Sequence, residues 1–287
     1  MTRFFFATLL SVWFSLSFVN AGQAQKRNQP FFFIQMSDTQ FGFYSDNQDF
    51  SRETVNFEKA IAQANRLKPA FVIVTGDLTH KVGDKNQIAE YKRISAQLDA
   101  SIPLYNVPGN HDVEGNPSDA HLSDYKANFG PYYYTFTHKR MLGIVLNSQL
   151  FSAKPKAPQA AEAQEKWLKE TLERTKRKKY TSIIVFQHQS WFVNSGDEPD
   201  EYFNIPMEIR QRYLALFKAY GIKQIFAGHL HRNAYGKSDA LEMITTGPVG
   251  KPLGNDPSGF RIVKVNGESV EHQYYDLDHI PEQIDIK

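Results

Sequence analysis

Three apolar runs of strand length, 71–75, 102–107 and 225–227, each lead directly into a short polar group. These groups are Gly76-Asp77, Gly109-Asn110-His111-Asp112 and Gly228-His229-Leu230-His231. In α/β proteins the carboxyl ends of buried strands converge on one crevice, so residues far apart in the chain can share ligands there. A chain with this pattern has to fold so that its strand ends meet. The residue types at those ends read as a hydrolytic two-metal centre.

The order of the other segments narrows the architecture. Residues 31–36 read as the first buried strand. Within 53–67, Val55, Phe57, Ala60, Ile61, Ala64 and Leu67 recur at near-helical spacing, and Pro69 marks the end. Strand 70–75, helix 88–98 and strand 103–107 complete a βαβαβ start, which favours helices packed on a largely parallel sheet. The pattern then changes to strands 132–136 and 142–147 joined by a polar turn at 137–140, an antiparallel insertion. A helix over 160–178, a strand at 182–186, a helix over 207–219 closed by Gly221 and a strand at 224–227 follow. The tail predicts strands 241–245, 259–265 and 269–275, with Asn266-Gly267 as a hairpin turn. No repeat or linker divides this order. It predicts an α/β fold, a four-layer α-β-β-α sandwich of two mixed sheets, in one domain over residues 30–278.

Composition excludes several classes. A chain of 287 residues, 41% hydrophobic and 22% charged, is neither disordered nor fibrous. Lys and Arg total 33 against 31 acids, so no strong field draws nucleic acid and no nucleic-acid surface is expected. Arg174, Lys176, Arg177, Lys178 and Lys179 close a predicted helix, where cations complement the dipole, and read as a solvated face. Residues 1–24 predict a cleaved secretory signal. Thr2-Arg3 supplies the positive flank, 4–19 the apolar run, and Ala21, Gly22 and Ala24 the small residues for cleavage. The run is short for a bilayer span, so an uncleaved N-terminal anchor is the alternative, and no other membrane segment is expected. A cysteine-free chain fits export without disulfides, to a periplasm or the outside medium.

The candidate metal ligands are Asp38, Gln40, Asp77, Asn110, His188, His229 and His231. Carboxylate, amide oxygen and imidazole suit hard or borderline divalent cations, and no thiolate is present to favour a soft one. Asp77 fits a bridging role between two cations. In His229-Leu230-His231, alternate residues of an extended segment point the same way, so both imidazoles can face one site.

Asp38-Thr39-Gln40, Gly76-Asp77, Gly109-Asn110-His111-Asp112, Gln187-His188 and Gly228-His229-Leu230-His231 together resemble the signature of the calcineurin-like metallophosphoesterase superfamily, over residues 31–275. The stretches 38–42, 187–192, 202–206, 231–233 and 253–259 are similar to one branch, the calcineurin-like phosphoesterase domain-containing serine/threonine phosphatases of animals. Those enzymes are cytosolic, so the apparent export signal is a departure that bears on the substrate and not on the chemistry. The resemblance implies that Asp38, Gln40, Asp77 and His231 surround one cation, and Asp77, Asn110, His188 and His229 a second. It implies hydrolysis of a phosphate monoester by a hydroxide held between two divalent cations (Mn, Fe, Mg or Zn). The superfamily usually has His at the position of Gln40. An amide oxygen is the harder donor, so Mn or Fe is favoured over Zn.

Around these ligands, His111 is placed to stabilise the transition state or to protonate the leaving group. Asp112 is expected to orient His111, and Arg232 to clamp phosphate with its planar fork. His80 and His121 read as structural or surface residues. Purple acid phosphatases carry a Tyr where this chain has His80, which disfavours an iron–tyrosinate centre. The stretch 191–206 combines Trp191, Phe192, Tyr202 and Phe203 with Asp197, Glu198, Asp200 and Glu201. It reads either as a lid whose acids repel highly anionic substrates or as packing aromatics with an acidic turn. The substrate is expected to be a phosphorylated small molecule or a phosphoprotein, possible oligomerisation being left open. The rival functions are a phosphodiesterase acting on cyclic nucleotides or glycerophosphodiesters, and a non-catalytic exported binding module on the same scaffold.

Overall fold

A computed structural model describes residues 29–178 and 180–286; the expected signal segment 1–24 and Lys179 lie outside them. Two mixed sheets organise the described chain. The first contains β1 (Phe31–Met36), β2 (Val72–Thr75), β3 (Leu104–Val107), β10 (Gly259–Asn266) and β11 (Ser269–Asp276), in the order β11-β10-β1-β2-β3. Its β1, β2 and β3 run parallel, and β10 pairs antiparallel with both β1 and β11. The second holds β4 (Tyr134–His138), β5 (Met141–Val145), β6 (Ser182–Phe186), β7 (Gln224–Ala227), β8 (Ala234–Ser238) and β9 (Leu241–Thr245), in the order β4-β5-β6-β7-β9-β8. Here β5, β6, β7 and β9 are parallel, and β4 and β8 close the two edges antiparallel.

Strand alternation divides the core into three layers. In β1, Phe31 and Phe33 face the other sheet, while Phe32, Ile34 and Met36 face helices. Between the sheets Phe33 stacks on Phe71 with ring centroids 4.6 Å apart, and its edges meet Phe186 and Phe226 of the second sheet. Burying each such ring contributes about 1.5–3 kcal/mol. Helices α1 (Ser51–Leu67) and α2 (Lys85–Ser95) cover the first sheet through Phe57, Ile61, Tyr91 and Ile94. Helices α5 (Pro158–Thr175) and α6 (Met207–Ala219) cover the second through Leu168, Leu172, Tyr213 and Phe217. The expected four layers are therefore present. The basic cluster at the end of α5 is exposed at Arg174, Lys176, Arg177 and Lys178.

Three elements differ from the sequence reading. The one-turn α3 (Asn110–Val113) and the helix α4 (Asp119–Phe129) fall in a stretch read as connection. Only Leu122 and Tyr125 of α4 are buried, so it has little apolar stripe; its start is marked by Ser118, whose hydroxyl accepts from the His121 N–H. Strand β8 is an edge strand with one buried residue, Gly236, and lacks the apolar run that marks its neighbours.

Towards the carboxyl ends of the parallel strands the inter-sheet core turns polar. Gln35 of β1 donates to Thr75 Oγ1 and to the Ala227 carbonyl, both at 3.0 Å, and accepts from Thr246 at 2.6 Å. Arg261 completes the network by donating to Thr246 Oγ1 at 2.8 Å. Each group is hydrogen-bonded, which offsets its burial and fixes the two sheets against each other.

Candidate metal centre

All seven predicted ligands lie just past strand ends on one rim of the sandwich: Asp38 and Gln40 after β1, Asp77 after β2, Asn110 after β3, His188 after β6, and His229 and His231 after β7. The loops are tied to one another by backbone bonds. Asp38 N–H donates to Gly76 O at 3.0 Å, Gln40 N–H to Asp77 O at 2.9 Å, and Gly228 N–H to His188 O at 3.0 Å. Asp77, His188 and His229 each offer a ligand atom within 4.8 Å of the others, and so do Asp38, Asp77 and His231. Asp77 belongs to both groups. Asn110 joins the first, with Oδ1 3.0 Å from His188 Nε2.

The backbone is strained where these side chains emerge. Asp38, Gln40, Asp77, His229 and His231 have φ of 49°, 41°, 50°, 72° and 53°, the left-handed region that non-glycine residues seldom occupy. Each such residue costs about 1 kcal/mol or more, and such strain concentrates at functional sites. Two glycines make room. Gly76, at φ 90°, lies where a Cβ would strike the His188 ring, and a Cβ on Gly228 would strike Ser37 Oγ and Asp38 Oδ2.

Imidazole orientation is set from behind. His188 Nδ1 sits 2.8 Å from the Thr75 carbonyl and His231 Nδ1 2.6 Å from the Lys251 carbonyl. A carbonyl only accepts, so each Nδ1 carries the proton and each Nε2 faces the carboxylates, Asp77 Oδ2 at 3.2 Å and Asp38 Oδ1 at 3.3 Å. This is the arrangement metal-binding histidines use. Two further atoms test the fit to cations: His229 Nε2 and Gln40 Oε1 are buried and have no hydrogen-bond partner. Orphaned acceptors beside buried carboxylates suit divalent cations in both groups. The donor set is oxygen and imidazole throughout.

Burial disfavours charge on Asp77, but the His188 ring and the His111 N–H outweigh it and hold this carboxyl well below the usual range. His188 is raised to about 9: burial opposes its charge, and Asp77 and Asp38 overcome it. Burial and the neighbouring His188 push His229 down to about 3, so its lone pair is available. Asp38 is raised, chiefly by burial.

The remaining predicted residues fall in different places. His111 follows Asn110, and its backbone N–H donates to Asp77 Oδ1 at 2.8 Å. Its Nδ1 donates to the His80 carbonyl at 2.7 Å, so Nδ1 carries the proton of the neutral ring. Asp112 does not orient that ring. It accepts instead from the Leu78, Thr79 and Gly109 N–H groups at 2.9, 3.1 and 2.8 Å, pinning the loops after β2 and β3 together. Burial and the nearby Asp77 push its carboxyl up to about 7. Arg232 is exposed beside His231, its guanidinium 5.8 Å over the Phe203 ring.

His80, read from the sequence as a structural or surface residue, lies at the site. Its ring stacks on His111 with centroids 4.7 Å apart, and its Nδ1 accepts from Gln40 Nε2 at 3.3 Å. The signal available was its position three residues past Asp77 at the same strand end. The stretch 191–206 is divided between the core and the neighbourhood of His229. Trp191 and Phe192 are core residues of the second sheet, whereas Tyr202 and Phe203 stand 5.2 and 6.0 Å from the His229 ring. Its acids are mostly consumed within the loop. Glu198 accepts from Val193, Asn194, Ser195 and Asn204, Asp200 from Met207 N–H and Arg210, and Asp197 from Ser195. Among the described residues no helix is long and apolar enough to cross a membrane.

Comparison with known proteins agrees with this geometry. The calcineurin-like phosphoesterase family matches residues 33–233. Serine/threonine-protein phosphatase CPPED1 of Homo sapiens is 36% identical over 270 residues, covering 88% of this chain and 86% of its own. Two solved structures share the fold at low identity. GAP50, the anchor in the inner membrane complex of Plasmodium, has a TM-score of 0.63 at 15% identity over 87% of this chain and 85% of its own. A dimetal phosphatase from Danio rerio has a TM-score of 0.60 at 14% identity over 86% and 99%. Two His/Asp groups joined by Asp77 make a dinuclear divalent-metal site, and on this fold they support metal-dependent phosphoesterase activity. The chain belongs to the calcineurin-like phosphoesterase family, on the branch of the CPPED1-like serine/threonine phosphatases.

Proposed function

We propose that the protein hydrolyses phosphate monoesters, and that phosphorylated serine or threonine in proteins is the substrate class to test first. The observation that carries this reading is Asp77, the one carboxylate common to both ligand groups. Asp38, Gln40, Asp77 and His231 would hold one cation; Asp77, Asn110, His188 and His229 would hold the other. Bound divalent cations supply Lewis acidity toward phosphoryl oxygens and lower the pKa of water.

The chain's own groups do the rest. His111, with Nδ1–H fixed on the His80 carbonyl, presents Nε2 to the leaving oxygen and gives up its proton there when charged. Arg232 offers its fork to the phosphoryl oxygens from the rim. Tyr202 and Phe203 form an aromatic wall beside His229, against which a leaving group can rest. The phosphoprotein assignment draws on the likeness to CPPED1, a protein named as a serine/threonine phosphatase. Mn or Fe is the proposed metal because Gln40 would offer an amide oxygen, directly or through a water. The proposed location is outside the cytoplasm, on the strength of residues 1–24; fractionation of cells making the full chain tests it.

Initial rates on p-nitrophenyl phosphate and bis-p-nitrophenyl phosphate, with Mn²⁺ added, test the chemistry. The monoester should be the better substrate. A strong preference for the diester would overturn the reading.

A further inference from the structure

One part of the rim has chemistry that a single phosphate does not require. Beside the group formed by Asp38, Asp77 and His231, Phe43 lies with its ring centroid 5.0 Å from that of His231 and 4.9 Å from that of His80. Lys251 holds Nζ 4.7 Å from the Phe43 centroid and 5.8 Å from that of Tyr44, and the Arg52 guanidinium sits 3.7 Å from Tyr44. Phe43, Tyr44 and Lys251 are half-buried. Lys251 is also tied to the centre through its backbone, since its carbonyl accepts the His231 Nδ1–H.

Among the described residues, neither Lys251, Arg52 nor Arg232 is in an ion pair within 4.0 Å. On the opposite wall Asp197, Glu198 and Asp200 are held inside their own loop, while Glu201 is exposed beside Tyr202. Asp256, on the segment that follows Lys251, is taken by the N–H and Nδ2 of Asn233 at 2.7 and 3.0 Å. Two acids lie near this platform: Asp46 acts on the His80 ring, and Glu53 accepts the Tyr44 N–H at 2.7 Å, while Lys251 itself is in no ion pair among the described residues. An ammonium seated on an aromatic face is positioned at a small ordering cost and keeps its charge for another partner. In the proposed reaction the scissile phosphate would be matched by the cations that the ligand groups hold, by His111 and by Arg232. A further cation one ring beyond His231 is therefore available to a different group.

We propose that Lys251, on the Phe43–Tyr44 platform, is a specificity subsite for a second anionic group carried on the leaving group of the ester. This rests on the monoesterase reading and adds the substrate's charge pattern to it: a phosphate ester with a second negative charge nearby, as when an acidic side chain neighbours a phosphorylated residue.

The test compares 3-carboxyphenyl phosphate with its uncharged analogue, 3-carbamoylphenyl phosphate, on the full chain loaded with Mn²⁺. The wild-type protein should favour the carboxylate by about fivefold in kcat/KM, the size of one partly exposed charge pair. The preference should shrink at high salt. Lys251→Gln should abolish it, and Lys251→Arg, which keeps the charge, should retain it. Equal rates on the two esters in the wild type, or a preference that survives in Lys251→Gln, would overturn the subsite while leaving the monoesterase reading intact. If neither ester is hydrolysed, the monoesterase reading fails and the subsite falls with it.

Discussion

Gln40 donates its amide N–H to His80 Nδ1 at 3.3 Å, which turns its Oε1, buried and without a partner, away from His80. The hydrogen bond decides which end of this two-faced side chain would meet a cation bound here. An oxygen there suits Mn or Fe, and an imidazole would suit Zn. Gln40→His should therefore raise the Zn:Mn ratio in protein loaded from an equimolar mixture, by roughly tenfold on the scale at which ligand shells tune affinity. Metal analysis by mass spectrometry reads the ratio. An unchanged ratio would show that Gln40 does not reach the metal.

Asp77 serves both groups, so neutralising it weakens two cations at once. Asp77→Asn keeps the shape and removes the charge. Turnover of p-nitrophenyl phosphate should fall by at least about 100-fold, with bound metal dropping below two per chain. Parent-level activity in this variant would place the chemistry elsewhere.

The metal-free protein should bind cations more tightly as pH rises. His188 is raised to about 9 from its ordinary 6.5, so its proton stabilises the metal-free fold fully below about pH 6.5, and that contribution is lost as pH climbs through about 9. A cation needs bare Nε2 and must displace the proton. Affinity at this group should rise about tenfold per pH unit until about 9. His229, pushed down to about 3, has no proton to lose near neutrality. Calorimetric titration of Mn²⁺ at pH 7, in buffers of different ionisation heat, should report close to one proton released. Zero release would contradict the assignment of His188.

Asp112 acts on the fold and reaches the chemistry only indirectly. In Asp112→Asn one carboxylate oxygen becomes an N–H donor and confronts an N–H group that it formerly satisfied. An unsatisfied buried donor costs about 1–3 kcal/mol. In a domain of this size that lowers Tm by roughly 2–10 °C. Thermal unfolding monitored by circular dichroism checks this, and an unchanged Tm would remove the structural role.

Much of this was legible in the sequence because strand ends are local features. A buried apolar run followed by Gly-Asp, Gly-Asn-His or Gly-His-Leu-His fixes both where a strand stops and which donors follow it. The order of runs and amphipathic segments was enough to anticipate two sheets between helices. Weaker signals failed where burial leaves little periodicity. Helix α4 buries only Leu122 and Tyr125, and β8 only Gly236, so neither writes a pattern.

What the sequence determined, then, was the inventory: strands of a given order, and oxygen and imidazole donors at their ends. The tertiary structure decided which atom of each donor faces inward. It set Nδ1 of His188 on a carbonyl from the other sheet, paired Gln40 with His80, turned Asp112 onto three backbone N–H groups, and split the segment 191–206 between core and wall. Periodicity along one element reports how that element is buried. The direction of a side chain at a strand end depends on sheet register and on backbone angles in the left-handed region, and both are fixed only when two sheets pack across one another.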